Sequence, residues 1–133
     1  MGGPMIADIN TFVGLALNDF EFTRETRYLT GIVKLEASSS AMILRFEDGV
    51  LSEAAVSNAA DSDCRIVVRA TDEQWDELLM EKPKPFYQCL QSSSVKHGLH
   101  LSTSNETFAY LPALNRMTSL LRKARNGDAG ANK

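Results

Sequence analysis

From position 8 to 17 the apolar residues Ile9, Phe12, Val13, Ala16 and Leu17 recur at the spacing of one helical face. Asp8 stands where an N-cap belongs, with Ile6 available as a hydrophobic staple. Asn18-Asp19 ends this helix, and Phe20-Glu21-Phe22-Thr23 reads as a connector or a short extended piece. From Tyr28 the period falls to two. Val33, Leu35 and Ala37 alternate with Lys34 and Glu36, as a half-buried strand requires. After the turn Ser38-Ser39-Ser40, a second strand puts Met42, Leu44 and Phe46 on one face and Arg45 on the other. Asp48-Gly49 signals a tight hairpin, because both residues tolerate the positive φ such a turn needs. The third strand, 50–56, is rich in small residues (Ser52, Ala54, Ala55), and 57–63 is a polar loop.

The fourth strand, 64–70, turns Cys64, Ile66 and Val68 one way and Arg65, Val67 and Arg69 the other. Thr71 and Gln74 fit the capping box of a helix over 72–80, whose stripe is Trp75, Leu78 and Leu79. Pro83-Lys84-Pro85 breaks the chain before a short amphipathic turn, Phe86-Tyr87-Gln88-Cys89-Leu90, and the serines at 92–94 read as a further turn. The alternation over 95–101 predicts a strand with Val95, His97, Leu99 and Leu101 inward and Lys96 and His100 outward. A final helix opens at Thr103 or Ser104, with Glu106 in its first turn. Its buried side is Phe108, Leu111, Leu114, Met117, Leu120 and Leu121, and Pro112 either kinks it or starts its second half. The elements make an α+β fold, a five-stranded mostly antiparallel sheet covered mainly on one face by helices. A single domain spans 1–125, and 126–133 is a disordered tail by composition.

The run from Ser62-Asp63-Cys64 to Met80 passes from an acidic residue into an apolar strand, then into a Thr-capped acidic helix ending in Leu78-Leu79. This section resembles the sterol carrier protein type 2 family, and by order and length of elements the resemblance extends over 28–123. Phe86-Tyr87-Gln88-Cys89-Leu90 takes the place of that family's short Pro-started helix. Glu81 and Ser93 or Ser94 stand where the family usually has glycine, and Ser104-Asn105 replaces its glycine-acid pair. The resemblance implies an apolar tunnel over the sheet and a lipid-binding activity. The departures fall at turns and at the tunnel mouth.

Composition narrows the partners. A formal charge of −3, from 14 Lys and Arg against 17 Asp and Glu, offers no basic face for nucleic acid. No apolar run reaches the ~18 residues of a membrane span, the start lacks the features of a secretory signal, and the expected location is cytoplasmic. Cys64 and Cys89 are too few for a disulfide framework and read as buried free thiols. No Cys or His pair has metal-ligand spacing, and no cofactor is expected.

The expected lining of the tunnel is Val33, Leu35, Met42, Leu44 and Phe46 from the sheet, with Trp75, Leu79, Phe86, Leu90, Phe108, Leu111, Met117 and Leu121 from the helices. Five methionines and six phenylalanines make a soft lining for an irregular guest, although the same stripes also make a solid core. His97, on the inward face, is a candidate anchor for a hydroxyl or carbonyl, or a general base; a core-edge histidine bonded to a backbone carbonyl is the plainer reading. The expected function is binding, and transfer, of a fatty acyl, sterol, isoprenoid or polyketide-like molecule, released by movement of the final helix. Two alternatives stand beside it: an isomerase, cyclase or hydrolase of an apolar metabolite using His97, or an interaction domain that binds no guest. Homodimerisation and transient contact of the basic end (Arg116, Arg122, Lys123, Arg125) with a membrane surface stay open.

Overall fold

A computed structural model describes residues 8–102, 107 and 109–127. Asp8 caps α1 (Ile9–Leu17), its carboxylate accepting from the Asn10 and Thr11 amides. The segment expected to be a connector is a second helix, α2 (Phe20–Glu25), because Asp19 caps it and the Phe22 amide donates to that carboxylate at 2.7 Å. Then come β1 (Gly31–Glu36), β2 (Ala41–Glu47) and β3 (Val50–Val56). The β2–β3 turn uses the left-handed backbone anticipated for Asp48 and Gly49, at φ +50° and +84°. After a 3-10 turn at Asp61–Asp63 the chain enters β4 (Ile66–Arg69) and α3 (Asp72–Leu78), where both halves of the Thr71–Gln74 capping box are formed.

The expected strand over 95–101 is divided between the end of a helix and a short strand. α4 runs Leu90–His97, and only His100–Leu101 forms β5. Two features favour the helix. Leu90 and Ser93 share a buried side, and Gly98 at φ +75° closes the last turn as a left-handed C-cap. Val95, expected to face inward, is 81% exposed. α5 (Leu111–Arg125) begins with Pro112 in its first turn and buries Leu114, Met117, Leu120 and Leu121 as anticipated. The expected helix start at Thr103 to Glu106, and Phe108, lie outside the described residues.

The sheet order is β3-β2-β1-β4-β5, antiparallel except for β1 beside β4, which makes it mixed. That parallel pair forces the 57–65 connection to cross the sheet. The helices cover one face. On the other, Lys34 is only 3% exposed; its Nζ donates to the Ala59 carbonyl at 2.6 Å and pairs with Asp61 at 2.7 Å and Glu36 at 3.1 Å. Arg69 closes the network on Glu36 and Asp61. One buried ammonium thus pins the crossover to the sheet, since burying it without these partners would be costly.

Candidate functional site

Ten of the fourteen expected site residues meet in the core. Val33, Leu35, Met42, Leu44 and Phe46 face Trp75, Leu79, Leu90, Met117 and Leu121, and none is more than 2% exposed. Leu111 packs at the rim of this cluster. The Trp75 indole N–H donates to the Glu36 carbonyl at 2.9 Å, which fixes α3 on the end of β1. The structure does not bring Phe86 and His97 into the cluster. His97 ends α4, stacked on Tyr87 with ring centroids 3.9 Å apart and its Nε2 3.4 Å from the Pro85 carbonyl oxygen. Cys64 and Cys89 are free and half-buried, and burial pushes the Cys64 thiol up. Among the described residues no group of His, Cys, Asp and Glu is arranged to hold a metal ion.

An apolar recess opens beside this core, at the end of the sheet where α2 approaches the β2–β3 hairpin. Its volume is about 320 Å³. Leu17, Val50 and Leu51 line its walls, and the buried Phe22, Ala16 and Thr26 form its base. Phe22 is buried and touches two core rings, Phe12 edge-on at 6.4 Å and Phe46 tilted at 6.1 Å. Phe22 is the one aromatic side chain of the recess lining, and with buried Ala16 and Thr26 it lies between the recess and the packed core. Thr26 fastens the far wall, its hydroxyl donating to the Gly49 carbonyl at 3.0 Å, while the Gly49 amide donates to the Leu29 carbonyl at 2.8 Å. Arg27 and Asp48 supply the polar edge, and Arg27 also lies 5.4 Å over the Tyr28 ring.

None of the recess residues was among the expected lining. A signal existed for the helix though not for the recess: Asp19 before Phe20, acidic Glu21 in the first turn and basic Arg24 in the last are the marks of a short helix. Two further hollows, of about 490 and 330 Å³, open between α1 and α5 and beside Arg69 and His100. No expected lining residue borders any of the three.

This arrangement of helices on a β3-β2-β1-β4-β5 sheet matches solved structures. The crystal structure of sterol carrier protein 2 superposes with a TM-score of 0.72 at 13% identity, over 91% of this chain and 99% of that one. The fold is that of sterol carrier protein 2. A conserved hypothetical protein of Thermus thermophilus, regarded as a candidate sterol carrier, gives 0.61 at 16% identity over 93% of this chain and 94% of its own. The ubiquinone synthesis protein UbiJ-SCP2 gives 0.50 at 19% over 84% of each chain. No protein-family model and no curated protein matches the sequence. At these identities the sterol carrier likeness is one of fold. No helix among the described residues is long and apolar enough to cross a membrane.

Proposed function

We propose that the chain binds a hydrophobic small molecule, with the recess between α2 and the β2–β3 hairpin as its mouth. The observation that carries this reading is the position of Phe22, at the base of an apolar opening and against Phe12 and Phe46. Rotation of that one ring joins the recess to the core beside Phe12 and Phe46. A guest with a chain-like apolar body and one polar end fits this geometry, its polar end near Arg27, Thr23 and Asp48. The likeness in fold to sterol carrier protein 2 supports the same class of guest.

One observation favours a second reading, an interaction domain without a guest: the expected lining side chains already fill the core. Nothing comparable favours an enzyme, since His97 stacks on Tyr87 and borders none of the three hollows.

Solvent extraction of natively purified protein followed by mass spectrometry separates the two. A stoichiometric apolar molecule is expected, as is displacement of a fluorescent fatty acid probe. Leu17→Asn should weaken the probe about tenfold, the effect of losing roughly one buried apolar side chain. A clean extract together with no probe binding after incubation with mixed lipids would sink the proposal.

A further inference from the structure

The turn Lys84-Pro85-Phe86-Tyr87 is closed by the Tyr87 amide donating to the Lys84 carbonyl at 3.0 Å. Pro85 suits its second position, and the third requires a positive φ that glycine normally supplies. Here it is Phe86, at φ +68°. An aromatic residue keeps such a backbone only where its surroundings hold it, and α4 does so. The Phe86 carbonyl accepts from the Ser92 hydroxyl at 3.1 Å and from the Ser93 hydroxyl at 2.7 Å, and its amide donates to the Gln88 side chain at 3.0 Å. The result is a ring left 45% exposed rather than folded onto the core.

One cation lies over this ring and two more neighbour it in the chain. Lys96 places its Nζ 5.1 Å from the Phe86 centroid, Lys84 belongs to the same turn, and Lys82 is exposed just before it. Val95, next to Lys96 on α4, is the bare apolar residue already described. Of the nearby acids, Glu77 is held by Lys84 at 3.3 Å and Glu81 is exposed. The other exposed apolar group, Leu17, Phe20, Tyr28 and Val50, shares its surface with Glu21, Glu25, Glu47 and Asp48 against Arg24 and Arg27.

We propose that the face formed by Lys84, Phe86, Val95 and Lys96 docks on an anionic lipid bilayer. Aromatic rings settle at the headgroup level of a membrane, and lysines beside them are drawn to anionic headgroups. The charge complementarity selects this face over the acidic apolar one. The proposal does not rest on the recess holding a guest, because the whole docking face lies on the α3–α4 connection and α4.

The test measures energy transfer from Trp75, the only tryptophan, to a dansyl lipid in vesicles of phosphatidylcholine with and without phosphatidylglycerol. Binding is expected only with phosphatidylglycerol, and loss at high salt, where the screening length shrinks to roughly 3 Å. Phe86→Gly should melt no lower than the parent, since glycine relieves the backbone, yet partition about tenfold less. Lys96→Gln should cost about fivefold, the effect of one lysine near an anionic surface. Phe20→Ser, on the acidic apolar face, should leave partitioning unchanged. The proposal is overturned if the intact chain ignores the anionic lipid, as a face made for a protein partner would. It is equally overturned if Phe86→Gly binds like the parent or if Phe20→Ser costs as much.

Discussion

Arg116 grips Asp19 with both arms of its guanidinium, Nε to Oδ2 at 2.9 Å and Nη2 to Oδ1 at 2.6 Å. The same carboxylate accepts the Phe22 amide and so caps α2. One acidic side chain thus starts the helix that carries the base of the recess and ties it to α5. The Arg116 guanidinium holds the Asp19 carboxyl below its usual range.

Asp19→Ala should cost about 2–3 kcal/mol, from a lost cap and a lost charge-assisted fork in a partly exposed setting. Asp19→Asn keeps the cap and should cost about half of that. Urea unfolding of both, with and without Arg116→Met, measures the split. Equal losses for Ala and Asn would mean that the cap contributes nothing.

Three carboxylates set the acid limit. Lys34 and Arg69 hold Asp61 down to about 2, Arg69 and Lys34 depress Glu36, and Arg116 depresses Asp19. A carboxyl depressed on folding adds stability that is complete above its unfolded value, near 3.8 for Asp and 4.5 for Glu, and is lost as pH falls through the folded value. The melting temperature should therefore be level above roughly pH 5 and fall steadily toward pH 2. Asp61→Asn should flatten the lowest part of that fall, and a scan unchanged by this substitution would count against the crossover network.

Gly49 admits no side chain. Its φ is +84°, and an added Cβ would lie 2.9 Å from the Arg27 Cα and 3.0 Å from the Thr26 carbonyl oxygen, both backbone. Gly49→Ala should cost about 2 kcal/mol or more and push α2 from the hairpin. Thermal melts read the first effect. Weaker binding of a fatty acid probe reads the second, because the displaced contact is a wall of the recess.

Much of the fold was legible because its signals are local. Asp8, Thr71 with Gln74, Asp48-Gly49 and the α5 stripe each act within a few residues. The misreading of 95–101 came from a real ambiguity. Val95, His97, Leu99 and Leu101 do alternate with polar residues, and Gly98 beside a basic turn marks either a bulge or a helix end. The shared burial of Leu90 and Ser93 and the left-handed Gly98 go with the helix, and the alternation over 95–101 does not carry that information. The parallel pairing of β1 and β4, and with it the burial of Lys34, depends on where distant strands settle. The expected lining was found as a set of core residues. Alternation identifies the apolar face of an element but not whether the opposing element leaves space, so the recess at Phe22 was not visible in the sequence.

The final helix was expected to act as a lid, and its fastenings make that testable. Arg122 donates from Nε at 3.0 Å and from Nη2 at 2.6 Å to the Leu78 carbonyl, and the Asn126 side chain donates to the Leu79 carbonyl at 2.8 Å. These carbonyls belong to the end of α3, where no intrahelical donor remains, so α5 supplies the C-cap of another helix. With Arg116 on Asp19, α5 is latched to α3 and to α2. Arg122→Met keeps the aliphatic stem and removes the donors, and should cost about 2 kcal/mol. The proposed mouth, however, lies between α2 and the hairpin. Release of a bound fatty acid probe, followed by stopped flow into excess vesicles, should therefore keep the parental rate in Arg122→Met while Phe22→Ala accelerates it. The reverse pattern, faster release from Arg122→Met and none from Phe22→Ala, would place the route beneath α5 and restore the lid.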